Sequence, residues 1–303
     1  MRPSATTALV LAILVAVLSW ASAYPVVRIA LSGLAPVPLA AVRYAVASVL
    51  ALGWLFWRKR VPAARDLPRF AACGFFGISL YNVLFNTGEQ TVSAGAASLL
   101  ISAAPLMAAL LATLLLGERL TVWGWTGSLV SFGGVSLIAG GQSGGLSFGS
   151  GASIILGAAL SAAIFTTLQK PLIVRYGALD ATAVILLMGD LFLLPALPAG
   201  LREMQAASPT ILAAVLVLGI FPAAIGYAAW GYVIGRMGAA RAVGLLYLLP
   251  PTTLLLAFLL TAEVPSARTL LGGAVVMTGV VLMNTLGRAR PAAAPVSATA
   301  AGR

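Results

Sequence analysis

Five polar residues, Ser79, Asn82, Asn86, Glu89 and Ser93, recur at spacings of three and four through an otherwise apolar stretch. On a helix that spacing draws a single polar stripe. Facing lipid, each amide would lose its water without replacement, at a cost of several kcal/mol. The stripe must therefore face protein or a wet chamber, and two chemistries are open. Its hydroxyls and amides either bind neighbouring helices together or, with Tyr81 and Phe85 beside them, wall a cavity for an amphipathic small molecule.

Aromatic residues at matching positions extend the second reading. Trp20, Tyr24 and Arg28 lie four apart and share one helical face. Trp20 sits more than two turns below Arg28, too deep for the interfacial belt that suits Trp54, Trp57, Trp123 and Trp125. A shift of 145 residues brings Tyr227 onto Asn82, Trp230 onto Phe85 and Tyr247 onto Ser102. Phe165 in the sixth apolar stretch is counted with the same wall. Plain packing is the competing account of each ring.

Three ionisable groups fall inside apolar stretches: Arg43, Asp190 and Glu89. Charges placed there are costly and point to function with a named partner. Arg43 and Asp190 occupy equivalent second segments of two repeats and are expected to turn inward, toward each other or toward polar groups. A structural task is the competing reading for Arg43. Proton coupling would run through Asp190, with Glu89 second, and facilitated diffusion stands beside it. Pro105, Pro250 and Pro251 remove backbone donors and free the carbonyls of Ile101, Leu246 and Tyr247, making either a static kink or a place for substrate or water. The chain has no histidine and a single cysteine, Cys73. His-based triads, His-ligated metals and intrachain disulfides are thereby excluded, and no metal, catalytic residue or cofactor is expected.

The elements that must position these groups follow from composition. The chain is 61% hydrophobic and 8% charged, with mean hydropathy +1.05, so the bilayer is its solvent. Ten apolar stretches of bilayer-spanning length run over residues 7–27, 36–57, 70–88, 93–116, 121–140, 151–169, 181–199, 210–234, 239–262 and 268–287. The net charge of +11 forms no nucleic-acid patch: with a cytoplasmic N-terminus, 14 of the 18 Lys and Arg fall in inside segments, as the positive-inside rule requires. Both termini are then cytoplasmic. Arg2, the apolar run 8–18 and Ala21-Ser22-Ala23 imitate a cleavable signal, but Leu18-Ser19 recurs as Leu160-Ser161, and cleavage would leave a repeat incomplete.

That repeat is the strongest organising feature. Between 94–138 and 239–283, fifteen of forty-five aligned positions are identical, including Pro105/Pro250, Glu118/Glu263, Gly127/Gly272 and Gly134/Gly279. The glutamates read as turn residues favoured near the start of the next helix, the glycines as sites of close helix packing. The expected fold is an all-α integral membrane protein of ten transmembrane helices in two five-helix repeats, 1–139 and 152–287. A Gly/Ser linker joins them over 140–151, and a cytoplasmic tail follows over 288–303. An odd number of crossings turns the second copy upside down, the architecture of secondary transporters.

Three patches, PLAAVRYAVASVLAL, SLLISAAPLMAALLATLLLGERLT and WGWTGSLVSFGGVSLIAG, resemble the EamA family of the drug/metabolite transporter superfamily, and the resemblance extends over residues 7–287. It implies a bacterial inner-membrane exporter of amino acids, aromatic ones among them, or related metabolites. Its central cavity would be built from spans 1, 3, 4, 6, 8 and 9. Arg43 falls on the family's second-span arginine. Pro250-Pro251 and Ala262-Glu263 depart from the single proline and Gly-Glu of the pattern. The expected partners are a small-molecule substrate, membrane lipid and protons, with no nucleic acid, in a monomer; export of cationic drugs is the alternative. A channel lacks its rings of charge or filter loops, and an intramembrane enzyme lacks paired acids. Single cysteines replacing Glu118 and Glu263, in a Cys73→Ser background, should react with an impermeant maleimide from opposite sides of the bilayer; labelling from one side would remove the flipped repeat.

Overall fold

The chain was analysed as a computed structural model that describes residues 5–59, 61–104, 106–108, 111, 121–142, 150–237 and 244–286. Pro105, Glu118, the central part of the linker and the tail lie outside the described residues. Among the described residues every regular element is helical. They are α1 (Ala5–Leu31), α2 (Pro36–Arg58), α3 (Ala64–Glu89), α4 (Ala94–Ile101) and α5 (Val122–Gly140), then α6 (Gly151–Tyr176), α7 (Ala178–Ala206), α8 (Pro209–Val233), α9 (Leu249–Thr261) and α10 (Ala267–Leu286). Seven of these are long and apolar enough to cross a bilayer, and α4, α9 and α10 supply shorter apolar segments. The protein is an all-α, multi-pass membrane protein.

Local sequence sets the boundaries. Ser93, Thr121, Ser150 and Ser208 each precede a helix and accept from the amide three residues on, satisfying a donor that the helix itself cannot. Gly177, at φ 81°, is all that separates α6 from α7, and its lack of a Cβ makes that turn cheap. Of the prolines singled out in the sequence, the two described stand at an element boundary. Pro250 and Pro251 occupy the first turn of α9, after a tight turn over Gly244–Leu248. A first-turn residue has no intrahelical acceptor for its amide, so the missing donors cost nothing there. Within the described residues the ninth apolar segment is helical from Leu249 onward, and residues 238–243 lie outside them.

The two halves pack as an inverted pair. Helices α5 and α10 cross so closely that a Cβ on Gly127 would meet the Gly279 carbonyl oxygen at 2.6 Å, and one on Gly134 would meet that of Gly272 at 2.6 Å. Between these crossings Ser131 Oγ donates to the Val276 carbonyl at 3.2 Å. Ser131 and Val276 are themselves 145 residues apart, so a pseudo-twofold axis passes between them. The remaining contacts obey the same exchange: α3 packs on α6 as α8 packs on α1, and α1 packs on α9 as α6 packs on α4.

Both α3 and α8 widen into a π turn, over Phe75–Leu80 and Phe221–Gly226. A π turn spares a carbonyl from the i→i−4 ladder, and here a donor from the other half supplies the bond. Ser161 Oγ on α6 donates to the Phe76 carbonyl at 2.7 Å, and Trp20 Nε1 on α1 donates to the Pro222 carbonyl at 3.1 Å. Outward-facing Phe56, Val122, Leu129 and Leu271 remain exposed, as a lipid-facing surface requires. Gly134→Val, by driving two methyl groups into a neighbouring backbone, should lower stability by about 1–3 kcal/mol, read as a fall in thermal midpoint in detergent. Gly133→Ala, where a Cβ would meet nothing within 4 Å, should leave the midpoint unchanged.

Candidate functional site

The polar stripe of α3 is buried throughout: Ser79, Asn82, Asn86 and Glu89 are all less than 5% exposed. It points into the bundle and not at hydrocarbon. Its lower members bind helices together. Ser79 Oγ donates to the Gly189 carbonyl on α7 at 2.7 Å. Asn82 Nδ2 donates to the Tyr44 hydroxyl at 3.0 Å and to the Ile78 carbonyl at 2.7 Å, while Asn82 Oδ1 accepts from Arg43 Nη1 at 3.2 Å. Higher up, the satisfaction runs out. Asn86 Nδ2 donates to the Pro36 carbonyl at 2.9 Å, but Asn86 Oδ1 and both carboxylate oxygens of Glu89 have no hydrogen-bond partner. Ser93 closes the stripe as the cap of α4.

Six of the expected aromatic residues come together across α1, α3 and α8. Trp20 meets Tyr227 and Trp230, each at a centroid distance of 5.3 Å. One turn along α1, Tyr24 meets Phe85 edge-on at 5.2 Å, and Phe85 stacks on Tyr81 at 5.7 Å. Tyr44, which the sequence reading did not single out, joins them through its bond to Asn82; one tyrosine in the apolar run of α2 carried no signal of its own. Phe165 stands apart, its ring against the Cα of Gly77 in the α3 π turn. Ser102 donates to the Ser98 carbonyl at 2.9 Å within its own helix. Tyr247 lies in the turn before α9, and its side chain is outside the described residues.

Arg43 and Asp190 are both buried, and they do not pair with each other. Arg43 is held by Asn82 and lies over the Tyr44 ring at 5.2 Å, leaving its Nε unpartnered. The Ser48 hydroxyl is near the Asp190 carboxyl without reaching hydrogen-bond geometry, and Asp190 Oδ1 is unpartnered. Of the two expected arrangements, Arg43 adopts the one with polar groups.

Charge is organised instead at the two ends of the bundle. At one end Arg28 Nε pairs with Glu263 Oε1 at 2.5 Å, and Arg28 Nη1 donates to the carbonyls of Glu89 and Val92 at 2.8 and 2.6 Å. Glu263 Oε2 accepts from the Ala94 amide at 2.9 Å. Glu263 thus serves the start of α4, with its positive helix end, and not the start of α10 as its sequence position suggested. A cross-repeat bond of this kind is invisible in a linear pattern. Nearby Ala35 N donates to Glu203 Oε2 at 2.9 Å.

At the opposite end, Trp54 Nε1 donates to Asp180 Oδ1 at 2.9 Å and Arg58 approaches it at 3.6 Å. Trp54 is thereby committed to protein, whereas Trp57, Trp123 and Trp125 are exposed. The Tyr176 hydroxyl donates to Asp66 Oδ2 at 2.5 Å, and Arg175 lies 3.3 Å from the same oxygen. A cavity of about 460 Å³ opens beside this cluster, lined by Lys59, Arg175, Tyr176 and Asp180 among others. Among the described residues no three His, Cys, Asp or Glu are grouped to hold a metal.

The chain is similar to known proteins over most of its length. Residues 7–140 and 149–285 each match the EamA-like transporter family. A protein of Streptantibioticus cattleyicolor named "Probable terminal-alkyne amino-acid exporter" is 41% identical over 290 residues, covering 94% of this chain and 96% of the relative. The Bacillus subtilis "Uncharacterized transporter YdfC" is 37% identical over 262 residues, 86% of each chain. A crystal structure at 21% identity superposes with a TM-score of 0.55 over 92% of this chain and 96% of the other, a shared fold.

The Arg28–Glu263 contact makes a direct energetic prediction. In a double-mutant cycle of Arg28→Ala and Glu263→Ala, thermal or denaturant unfolding should return a coupling of about 0.5–3 kcal/mol. Additive losses would mean that the pair carries no energy of its own.

Proposed function

Because the chain belongs to the EamA-like transporter family, we propose that it is a carrier that exports amino acids across a bacterial inner membrane by alternating access. The observation that carries this reading is the junction of the two halves. There the buried Asn82–Asn86–Glu89 side of α3 meets Tyr24 of α1, with Arg43 and Tyr44 of α2 beside it. Trp20 of α1 meets Tyr227 and Trp230 of α8 one turn away. Hydrogen-bonding groups on one side and aromatic faces on the other suit a zwitterion with an apolar or aromatic side chain. The relative named for terminal-alkyne amino acids supports a substrate whose side chain is apolar and rich in π electrons.

The halves 1–139 and 152–287 are the moving bodies, joined by 140–151, with both termini in the cytoplasm. The Arg28–Glu263 end then faces outward, and the Asp66–Tyr176 and Asp180–Trp54 end faces inward. Pro250 and Pro251, in the first turn of α9, sit where one half bends against the other.

Counterflow of labelled amino acids, one at a time, into vesicles holding the purified protein tests the reading. At least one should show saturable uptake, which a channel would not. Asn86→Ala and Trp230→Ala should each reduce that flux about tenfold, the effect of losing about 1.4 kcal/mol of binding, at unchanged membrane expression. Normal flux in both variants would place the substrate elsewhere.

A further inference from the structure

The three unpartnered acceptors of α3 lie together. Asn86 and Glu89 are three residues apart and therefore neighbours on one helical face. Asn86 Oδ1, Glu89 Oε1 and Glu89 Oε2 are buried with no hydrogen-bond partner, in residues 0% and 1% exposed. Leaving a buried acceptor unmade costs its full desolvation, and a charged one costs more. Such a debt, concentrated on one turn of a helix, signals a group that is taken up during the working cycle.

The neighbouring cations do not discharge it. Arg28 spends its Nε on Glu263 and its Nη1 on the backbone carbonyls of Glu89 and Val92. Arg43 spends its Nη1 on Asn82. Both guanidinium groups, together with Glu263, Tyr24 and Tyr81, are near enough to act on the Glu89 carboxylate through space. Arg28 is matched by Glu263, while Arg43 is bonded to the Asn82 amide and not to Glu89. The floor of the turn is aromatic: Phe85 lies between Tyr24 and Tyr81, and ring faces attract cations.

We infer that Glu89 and Asn86 form the subsite for the ammonium group of the transported molecule. Three N–H donors of a primary ammonium match three unused acceptors, and the aromatic floor meets its positive charge. A molecule with a carboxylate alone gains nothing from these three acceptors. The inference rests on the carrier reading for what the subsite is used for, but its binding chemistry can be tested without transport.

Isothermal titration calorimetry of the purified protein in detergent supplies that test, using L-phenylalanine, 2-phenylethylamine and 3-phenylpropionate as probes. The first two should bind and the third should not. Glu89→Gln, of the same shape, should raise the Kd of both amines at least tenfold. Glu89→Asp should recover part of the loss. If Glu89→Gln does not fold, as judged by its elution profile and thermal midpoint, Asn86→Ala reads the same subsite through a severalfold weaker amine affinity. Unchanged amine affinity in the folded variant overturns the inference, even if proton movement measured with pyranine in vesicles changes, because Glu89 would then hold a proton only. Equal binding of 3-phenylpropionate, or no amine binding by the unaltered protein, overturns it as well. Glu89-dependent amine binding without counterflow of any amino acid sustains the subsite and sinks the carrier reading instead.

Discussion

In hydrocarbon a backbone carbonyl has no water to fall back on, and every polar group must find its partner within the protein. The widened turns of α3 and α8 create that need in the middle of both halves, and the answer comes from the opposite half each time. Ser161 reaches the Phe76 carbonyl, and Trp20 reaches that of Pro222. The two carbonyls are 146 residues apart, and the two donors sit on the equivalent helices α6 and α1. Each half is therefore completed by its twin, and the interface between halves is fixed by polar bonds as well as by shape. Under the proposed alternating access, movement between the halves would have to pass through these two bonds. Because π turns already depart from the regular ladder, they are natural places for a helix to change its path.

The α5–α10 crossing plays the opposite part. Its glycines bring two backbones into contact with no side chain between them, leaving nothing that could swing. Close packing of small residues is the main source of helix association in lipid, and here it lies on the pseudo-twofold axis itself. The halves meet backbone to backbone at this crossing and through side chains where α1 packs on α8 and α3 on α6. Ionic contacts at the bundle ends complete the enclosure: Arg28 with Glu263 at one, Asp66 with Arg175 and Asp180 with Arg58 at the other. A partly exposed pair of this sort is worth little in absolute terms. Under the proposed alternating access, that would suit an end that opens better than a permanent seal.

Much of this architecture was legible in the sequence because it is written in periodicity and repetition. The apolar stretches gave the elements, the 145-residue offset related Gly127 to Gly272 and Gly134 to Gly279, and the three-and-four spacing of Ser79, Asn82 and Asn86 marked an inward face. What could not be read depends on contacts between distant segments. Nothing in the linear pattern ties Arg28 to Glu263, since their proximity arises only when α1 packs on α9. A π turn leaves no composition signature in FFGISL, which contains no proline. The doubled proline of α9 invited a break in the span, and the described helix starts beside it, in the first turn where proline is cheapest. Arg43 and Asp190 looked like partners by position in the repeat, yet Arg43 found an amide on α3 and Asp190 came to lie near a serine on α2.

The same comparison shows what divergence of the two copies achieves. If both repeats had kept one sequence, the wall made by α3 and the wall made by α8 would be identical, and a ligand between them would have no reason to prefer one orientation. The copies differ where it matters: Asn82, Phe85, Asn86 and Glu89 stand opposite Tyr227, Trp230, Gly231 and Ile234 in the repeat. One wall offers amides and a carboxylate, the other rings, with Gly231 packed against Ala178 and Leu179 of α7. Under the proposed function, an amphipathic molecule between them would be oriented by that difference, polar end toward α3 and apolar end toward α8. For a carrier of the proposed kind, symmetry of the scaffold would permit two mirrored openings and asymmetry of the lining would keep the cargo in one pose through both. Binding energy spent on a pose common to both states does not bias the equilibrium between them, so such a lining would select the substrate without trapping the carrier.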